Sequence, residues 1–167
     1  GEGLAVRVSG MGISAGAYAN EVDRQATTST TDSDATDMTY FVNYTMGSVS
    51  LGYQKGYIDS GNSSATTALT TAKTVAASAG FFEAEQMSIA FNVNDNLTVS
   101  YTDQTDTYDA QSSSVTADVD MDTDSINIAY TVGSMSIAIV DSSQDNVGWD
   151  SDAGSASRQE LSVRLAF

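Results

Sequence analysis

The chain has 167 residues, with 22 acidic and six basic side chains, no histidine, cysteine or proline, and a formal net charge of −16. So few cations exclude a nucleic-acid-binding surface, and the missing histidine and cysteine exclude disulfides and the usual nucleophile–base pairs of enzymes. We therefore expect one domain over residues 1–167 that is not an enzyme. No apolar run approaches the roughly 20 residues of a membrane helix, but transmembrane strands alternate and escape that criterion.

Apolar and polar residues begin to alternate at Leu4, Val6 and Val8, and the phase shifts at Ser9-Gly10. Such a phase shift at a serine and a glycine is typical of a short turn between two strands. A second interpretation stays open, because glycine inside a strand often marks a bulge. Residues 4–22 would then form one long strand. The first interpretation predicts nine strands in the chain and the second predicts eight.

Three further hairpins follow the same pattern, in which period-two alternation on both sides of a turn signal indicates paired strands. The three turns are Gly47-Ser48, Asn94–Asn96 and Gly133-Ser134. The last hairpin is the clearest, with Ile126 to Val132 descending and Met135 to Ile139 returning on the apolar side. A final strand is predicted at Glu160–Phe167.

Long polar connections alternate with these short turns and hold most of the acidic residues. They run over about 15 to 21 residues, at 23–37, 60–80, 109–123 and 143–157. Short turns at one rim and long loops at the other are typical of an outer-membrane barrel. The strands have one large apolar side and one small, polar, almost uncharged side, which suits hydrocarbon and confined water. The predicted fold is an all-β, antiparallel, up-and-down transmembrane β-barrel.

Aromatic side chains give a second indication of a membrane. Tyr44, Phe91 and Tyr130 each lie on the apolar side about three residues before a short turn, and Phe167 ends the chain. At one common height these four would form an interfacial girdle. Tyr40, Tyr57 and Phe81 would contribute to a less regular belt at the opposite height.

Lys55 and Glu85 both fall on the apolar side, about eight and nine residues from their short turns. A lone charge costs about 2–4 kcal/mol at mid-bilayer and about 0–1 kcal/mol near the interface. We therefore expect them at the upper rim or in a subunit contact, and we predict that they form an ion pair.

Four aspartates alternate along the chain at Asp118, Asp120, Asp122 and Asp124. Their carboxylates would share one side of an extended loop, and Ca²⁺ takes several such oxygens. The spacing lacks the glycine and distal glutamate of an EF-hand. A solvated acidic rim that repels anions is the simpler interpretation, and it needs no cofactor.

Several of these segments resemble a known family. YTMGSVSLGYQKG, MSIAFNVNDNLTVSYTDQ and INIAYTVGSMSIA resemble strand–turn–strand units of Gram-negative general porins, particularly those of marine alphaproteobacteria. The ending ELSVRLAF resembles the carboxy-terminal signal that such barrels present to the outer-membrane assembly machinery. The resemblance implies a homotrimer in the lipid of the bacterial outer membrane. Each subunit would be a barrel, usually of 16 strands, for passive diffusion of small hydrophilic solutes.

The strand count decides between the functions that this resemblance allows. Nine strands would be the last nine of a larger porin barrel, and eight would make a complete small barrel. A closed eight-stranded barrel is filled by side chains and would serve as an anchor or adhesion surface. A third alternative is a secreted soluble or fibrous protein in which sheets pack on one another.

Arg7 and Arg164 are the only basic residues predicted on the small polar sides of strands. Porins of the resembled family line their constriction with arginines. The resemblance therefore implies a selectivity role for these two residues, on the basis of their residue type and strand face alone. The simpler interpretation is that each is an ordinary arginine in a water-lined wall, without a role in selectivity. With acidic loops at the mouth, we expect a channel that prefers cations.

Overall fold

The structure, a computed structural model, describes residues 2–22, 35–59, 81–109, 119–150 and 152–166. These residues form nine strands and no helix, so none of them belongs to a helix long and apolar enough to cross a membrane. The strands are β1 (Glu2–Gly10), β2 (Ile13–Val22), β3 (Ala35–Met46), β4 (Val49–Asp59), β5 (Phe81–Asn94), β6 (Leu97–Asp109), β7 (Val119–Val132), β8 (Met135–Gln144) and β9 (Ala156–Leu165).

All nine strands belong to one antiparallel sheet whose spatial order, β1 to β9, is the order of the sequence. The predicted all-β, up-and-down arrangement is therefore confirmed. Within the described residues, the eight pairings join only sequence neighbours and none joins β9 to β1. Closure into a barrel is thus not part of this structure, and β1 and β9 are edge strands.

The first hairpin decides between the two strand counts. β1 pairs with β2 from Glu2↔Glu21 to Gly10↔Ile13, so the single long strand considered for residues 4–22 is wrong. The turn lies at Met11-Gly12, two residues later than predicted, with φ of 53° and 80°. Two successive positive φ angles are the geometry of a tight hairpin turn. A Cβ at Gly12 would stand 2.4 Å from the Thr45 carbonyl oxygen, so only glycine fits there.

The short turns lie side by side along one rim, where backbone hydrogen bonds tie each to the next hairpin. Thr45 N donates to Gly12 O at 2.8 Å, and Asn92 N donates to Ser48 O at the same distance. Thr131 N and Ala166 N continue the series to Asn96 O and Ser134 O. The short turns predicted at residues 47–48, 94–96 and 133–134 are thus confirmed and share one edge of the sheet.

Several strands extend further into the polar stretches than the sequence pattern predicts, most of all β7 and β9. β7 begins at Val119 and β9 at Ala156, although residues 119–123 and 156–157 were expected in loops. Threonine on β6 accounts for the first extension, because Thr105 and Thr107 donate to Asp122 and Asp120 at 2.8 and 2.7 Å. Cross-strand polar pairs of this kind stabilise a ladder without apolar side chains.

Each strand has two faces, and cross-strand partners share a face because side chains alternate along a strand. The apolar face contains Val8, Val42, Leu51, Ile89, Ile128, Val163 and the residues in phase with them. The polar face contains Ser14, Asn43, Ser88, Thr102, Ser125, Ser162 and the residues in phase with them. The described residues form one layer, in which Phe82 and Tyr108 are the only buried hydrophobic side chains.

Glycines on the polar face differ in the room around them, which gives a first testable prediction. A Cβ at Gly16 would lie 2.7 Å from the Phe41 ring and 3.0 Å from Val6 O, whereas at Gly56 its nearest neighbour would be 3.7 Å away. Gly16→Ala should therefore lower the free energy of unfolding by about 1–3 kcal/mol through overpacking. The matched control Gly56→Ala should raise it by about 0.4–1 kcal/mol, because alanine restricts the unfolded chain. Urea unfolding in detergent measures both, and equal effects would contradict the described packing of Phe41.

Candidate functional site

The apolar residues of the apolar face form a continuous strip, three to five positions wide on each strand, next to the short turns. On β7 the strip runs through Val132, Tyr130, Ile128 and Ile126, and then gives way to Asp124. Its side chains have no second layer over them in the described residues. Leu4, Leu161 and Val163, for example, are 68%, 67% and 57% exposed.

Charged and polar residues form the margin of the strip that faces away from the short turns. The margin consists of cross-strand pairs on successive strands, namely Glu2↔Glu21, Lys55↔Glu85, Asp103↔Asp124 and Asp141↔Gln159. The apolar-to-polar change thus occurs at a defined height on β1, β2 and β4 to β9. On β3 it comes at Thr36, after Met38.

From one hairpin to the next, both margins of the strip shift along the strands in the same direction. They therefore cross the rows of hydrogen-bonded partners at an angle. At the turn margin, Ile13 on β2 pairs with Tyr44, whereas the strip on β3 continues two residues further, to Met46. In the same way, Leu97 on β6 pairs with Tyr130, whereas the strip on β7 continues two residues further, to Val132. At the charged margin, Glu85 pairs with Thr105, two residues beyond Asp103. From β4 to β9 the strip therefore steps by two residues for every two strands and keeps parallel sides. At β3 it is wider, because Thr36 pairs with Asp59, four residues beyond Lys55.

This stepping fixes the tilt of the strands relative to the strip. One residue per strand is about 3.4 Å along the strand for about 4.8 Å across it, which corresponds to a tilt of about 35°. Transmembrane strands tilt by about 35–45°. About four positions of about 7 Å each, at this tilt, give the strip a width of about 22 Å, close to the roughly 25 Å of an outer-membrane apolar band.

Lys55 and Glu85 lie on the charged margin, and the structure brings them together. Lys55 Nζ is 3.2 Å from Glu85 Oε2, and it also forms an ion pair with Glu83, which the sequence analysis did not name. The Lys55 side chain is only 18% exposed and its ammonium lies 5.6 Å from the centre of the Tyr57 ring. The ammonium therefore bridges two carboxylates at the height where the apolar strip ends.

Aromatic residues lie near both margins. Tyr44, Phe91 and Tyr130 all belong to the apolar face, each at the second strip position from its short turn. Phe167, the fourth predicted member of this girdle, lies outside the described residues. At the charged margin, Tyr101 takes the last strip position on β6 and its hydroxyl donates to Asp124.

Three of the four alternating aspartates lie on a strand rather than in a loop. Asp120, Asp122 and Asp124 follow one another on the apolar face of β7, about 7 Å apart along it. Each accepts a hydrogen bond from β6, namely from Thr107, Thr105 and Tyr101. Asp118 lies outside the described residues, in which no group of three potential metal ligands is close enough to hold an ion. The described aspartates thus form side-chain hydrogen bonds that join β7 to β6.

Arginines of the polar face occur at the two edges of the sheet. Arg7 on β1 donates to Ser14 Oγ at 3.3 Å, and Arg164 on β9 stands opposite Ser136. The prediction that these are the only strand arginines on this face is wrong, because β9 begins early enough to include Arg158, which pairs with Glu160. Between the edges, the charged residues that β2 to β8 place on the polar face are Asp37 and Asp106.

The segment after β8 folds onto the polar face, which the sequence analysis missed. Trp149 Nε1 donates to Asp106 O at 2.9 Å, and the indole meets the Phe82 ring edge-on at 5.1 Å. Phe82 in turn packs on Tyr108 at 5.0 Å, which leaves these two rings 6% and 2% exposed. The one available signal in the sequence was a single tryptophan in an otherwise polar loop.

Backbone and side-chain hydrogen bonds hold this segment in place. Asp145 N donates to Asp122 O and Asn146 Nδ2 to Asp120 O, both at 2.8 Å, and Gly148 N reaches Met121 Sδ at 3.4 Å. Residues 145–149 are thus fixed against β6 and β7, with Trp149 projecting over the polar face.

No family model, curated protein or solved structure matches the chain.

The three-residue charge cluster yields a second prediction. Lys55→Met leaves the carboxylates of Glu83 and Glu85 close together without their cation, whereas Glu85→Gln keeps the Lys55–Glu83 ion pair. Lys55→Met should therefore lower the urea midpoint of unfolding more than Glu85→Gln does. The double variant Lys55→Met/Glu83→Gln should recover part of the loss. A Glu85→Gln midpoint as low as that of Lys55→Met would contradict a shared ammonium.

Proposed function

We propose that this chain forms the wall of a water-filled β-barrel channel in the bacterial outer membrane, through which small hydrophilic solutes and ions diffuse passively. The apolar face would contact acyl chains and the polar face would line the water. The segments that resemble general porins support the same assignment.

The parallel-sided strip is the observation that carries this proposal. A sheet that packs against another layer buries an irregular patch, whose outline follows the partner. A planar slab of hydrocarbon instead demands two parallel margins, crossed by tilted strands at a constant angle. The margins at the short turns and at Lys55↔Glu85 and Asp103↔Asp124 meet that demand, with a width and tilt in the transmembrane range.

The polar face has the properties of a channel lining. Its strand residues are mostly Ser, Thr, Asn, Gln, Ala and Gly, as on β4 and β6. Small hydroxyl and amide side chains leave room for water and offer hydrogen bonds without a fixed charge. Selectivity would then come from pore width and from the few charges along the path.

A matched pair of neighbouring residues on β8 tests which face meets lipid. Ile137 lies in the middle of the strip, and Ala138 lies beside it on the polar face. Ile137→Lys should reduce the free energy of unfolding in lipid vesicles by about 2–4 kcal/mol, the cost of lysine at the bilayer midplane. Ala138→Lys should cost much less, because its ammonium stays in water. Urea titration of the two reconstituted variants decides, and the reverse order would overturn the proposed orientation.

Ion selectivity gives a further test of the channel. In planar bilayers the chain should conduct and the reversal potential should favour K⁺ over Cl⁻ at about 0.1 M salt. The preference should fade toward 1 M, because the screening length drops from about 10 Å to about 3 Å. Arg164→Gln should strengthen the cation preference at low salt, and the neutral exchange Ser162→Gln on the same face of β9 should not. A folded, inserted protein that carries no current would instead favour an anchor or adhesion role.

A further inference from the structure

A cavity on the polar face has the features of a ligand site. It has a volume of about 550 Å³ and its lining includes Tyr18, Asp37, Ile58, Phe82, Asp106 and Trp149. This volume lies within the usual range of small-molecule sites, which is about 300–1,000 Å³.

Side-chain size along one cross-strand row creates the cavity. Tyr18, Thr39, Gly56, Ala84 and Asp106 are successive partners on β2 to β6. The small residues in the middle of this row form a floor, and the larger ones at its ends rise on either side. Trp149 extends the wall next to Asp106, to which its indole is hydrogen-bonded at 2.9 Å.

The chemistry of the lining is aromatic and acidic. Tyr18, Phe82 and Trp149 contribute ring surfaces, and Asp37 and Asp106 contribute carboxylates of the polar face. No lysine or arginine belongs to the lining among the described residues, since the arginines of this face lie on β1 and β9. Aromatic faces attract cations and carboxylates attract them further, whereas the same carboxylates repel an anion.

Hydrogen bonds and ring contacts fix the aromatic wall in place. The indole of Trp149 is held by its hydrogen bond to Asp106 O and by its edge-on contact with Phe82. Gln104 Nε2 donates to Asp106 Oδ2 at 2.8 Å and so orients that carboxylate. A prearranged site loses little freedom on binding, which favours affinity.

We propose that this cavity binds organic cations that carry an aromatic or aliphatic body, such as aryl quaternary ammonium compounds. The site extends the proposed function, because the cavity opens on the face that would line the channel. The ligand would stop beside Trp149 on its way along the wall.

The only tryptophan of the chain lines the cavity, so its fluorescence reports binding directly. The probe is benzyltriethylammonium, titrated into the purified protein in detergent micelles, with benzyl alcohol and phenylacetate as neutral and anionic comparisons. The cation should give a saturable change in Trp149 emission, and the two comparison compounds should bind at least about tenfold more weakly.

Two kinds of variant separate charge from shape. The double variant Asp37→Asn/Asp106→Asn should weaken binding of the cation by at least about tenfold, whereas Asp95→Asn, the same exchange in a short turn, should leave it unchanged. Gly56→Val should abolish binding by filling the floor, since a Cβ there has no neighbour nearer than 3.7 Å. Ala90→Val, which places the same valine side chain on the same face closer to the short turns, should not affect binding.

Three results would overturn the proposal: benzyl alcohol binding as tightly as the cation, Gly56→Val binding normally, or no saturable change in a folded protein. Because fluorescence in micelles needs no current, binding and conductance can fail separately. A protein that binds the cation but does not conduct would refute the channel alone. A conducting protein without binding would refute the site alone.

Discussion

The structure depends on one constraint, which is that a single layer of strands must satisfy its backbone through the ladder while its two faces differ in polarity. Each hairpin is displaced by two residues relative to the previous one, and this stagger tilts the strands by about 35° relative to the strip. The apolar side chains follow the tilt as an oblique strip with parallel margins. The sequence pattern and the strand register therefore define the same oblique strip, although each strand by itself shows only a short alternating run.

Alternation is a strictly local property, and this explains why much of the fold could be predicted. The hairpins around Gly47, Asn94–Asn96 and Gly133 were each readable from fewer than 20 residues. The first turn was placed two residues early, because the change of phase at Ser9-Gly10 resembles a turn, whereas the pairing of Gly10 with Ile13 places the turn at Met11-Gly12. The start of β7 was missed because Asp and Thr favour loops until a partner strand supplies a hydrogen bond.

The candidate sites were predictable to the extent that they depend on a face rather than on distant partners. Lys55 and Glu85 lie on the same face and at similar distances from their short turns, so their proximity could be inferred. The participation of Glu83 in the cluster could not. The calcium alternative for the aspartates stays a prediction, since Asp118 lies outside the described residues, and the strand spaces Asp120, Asp122 and Asp124 about 7 Å apart. The contact of Trp149 with Phe82 joins residues 67 positions apart in the sequence, and no local pattern anticipates it.

The outermost strands β1 and β9 carry a consequence of their own. Each presents a row of backbone amides and carbonyls without a ladder partner in the described residues. In water such rows recruit other chains, and in hydrocarbon every unpaired polar group costs several kcal/mol. If the strip lies among lipid tails, both rows must be satisfied by strand pairing before or during entry. In that case the edge strands must pair while the sheet enters the membrane, and insertion of one hairpin at a time is excluded.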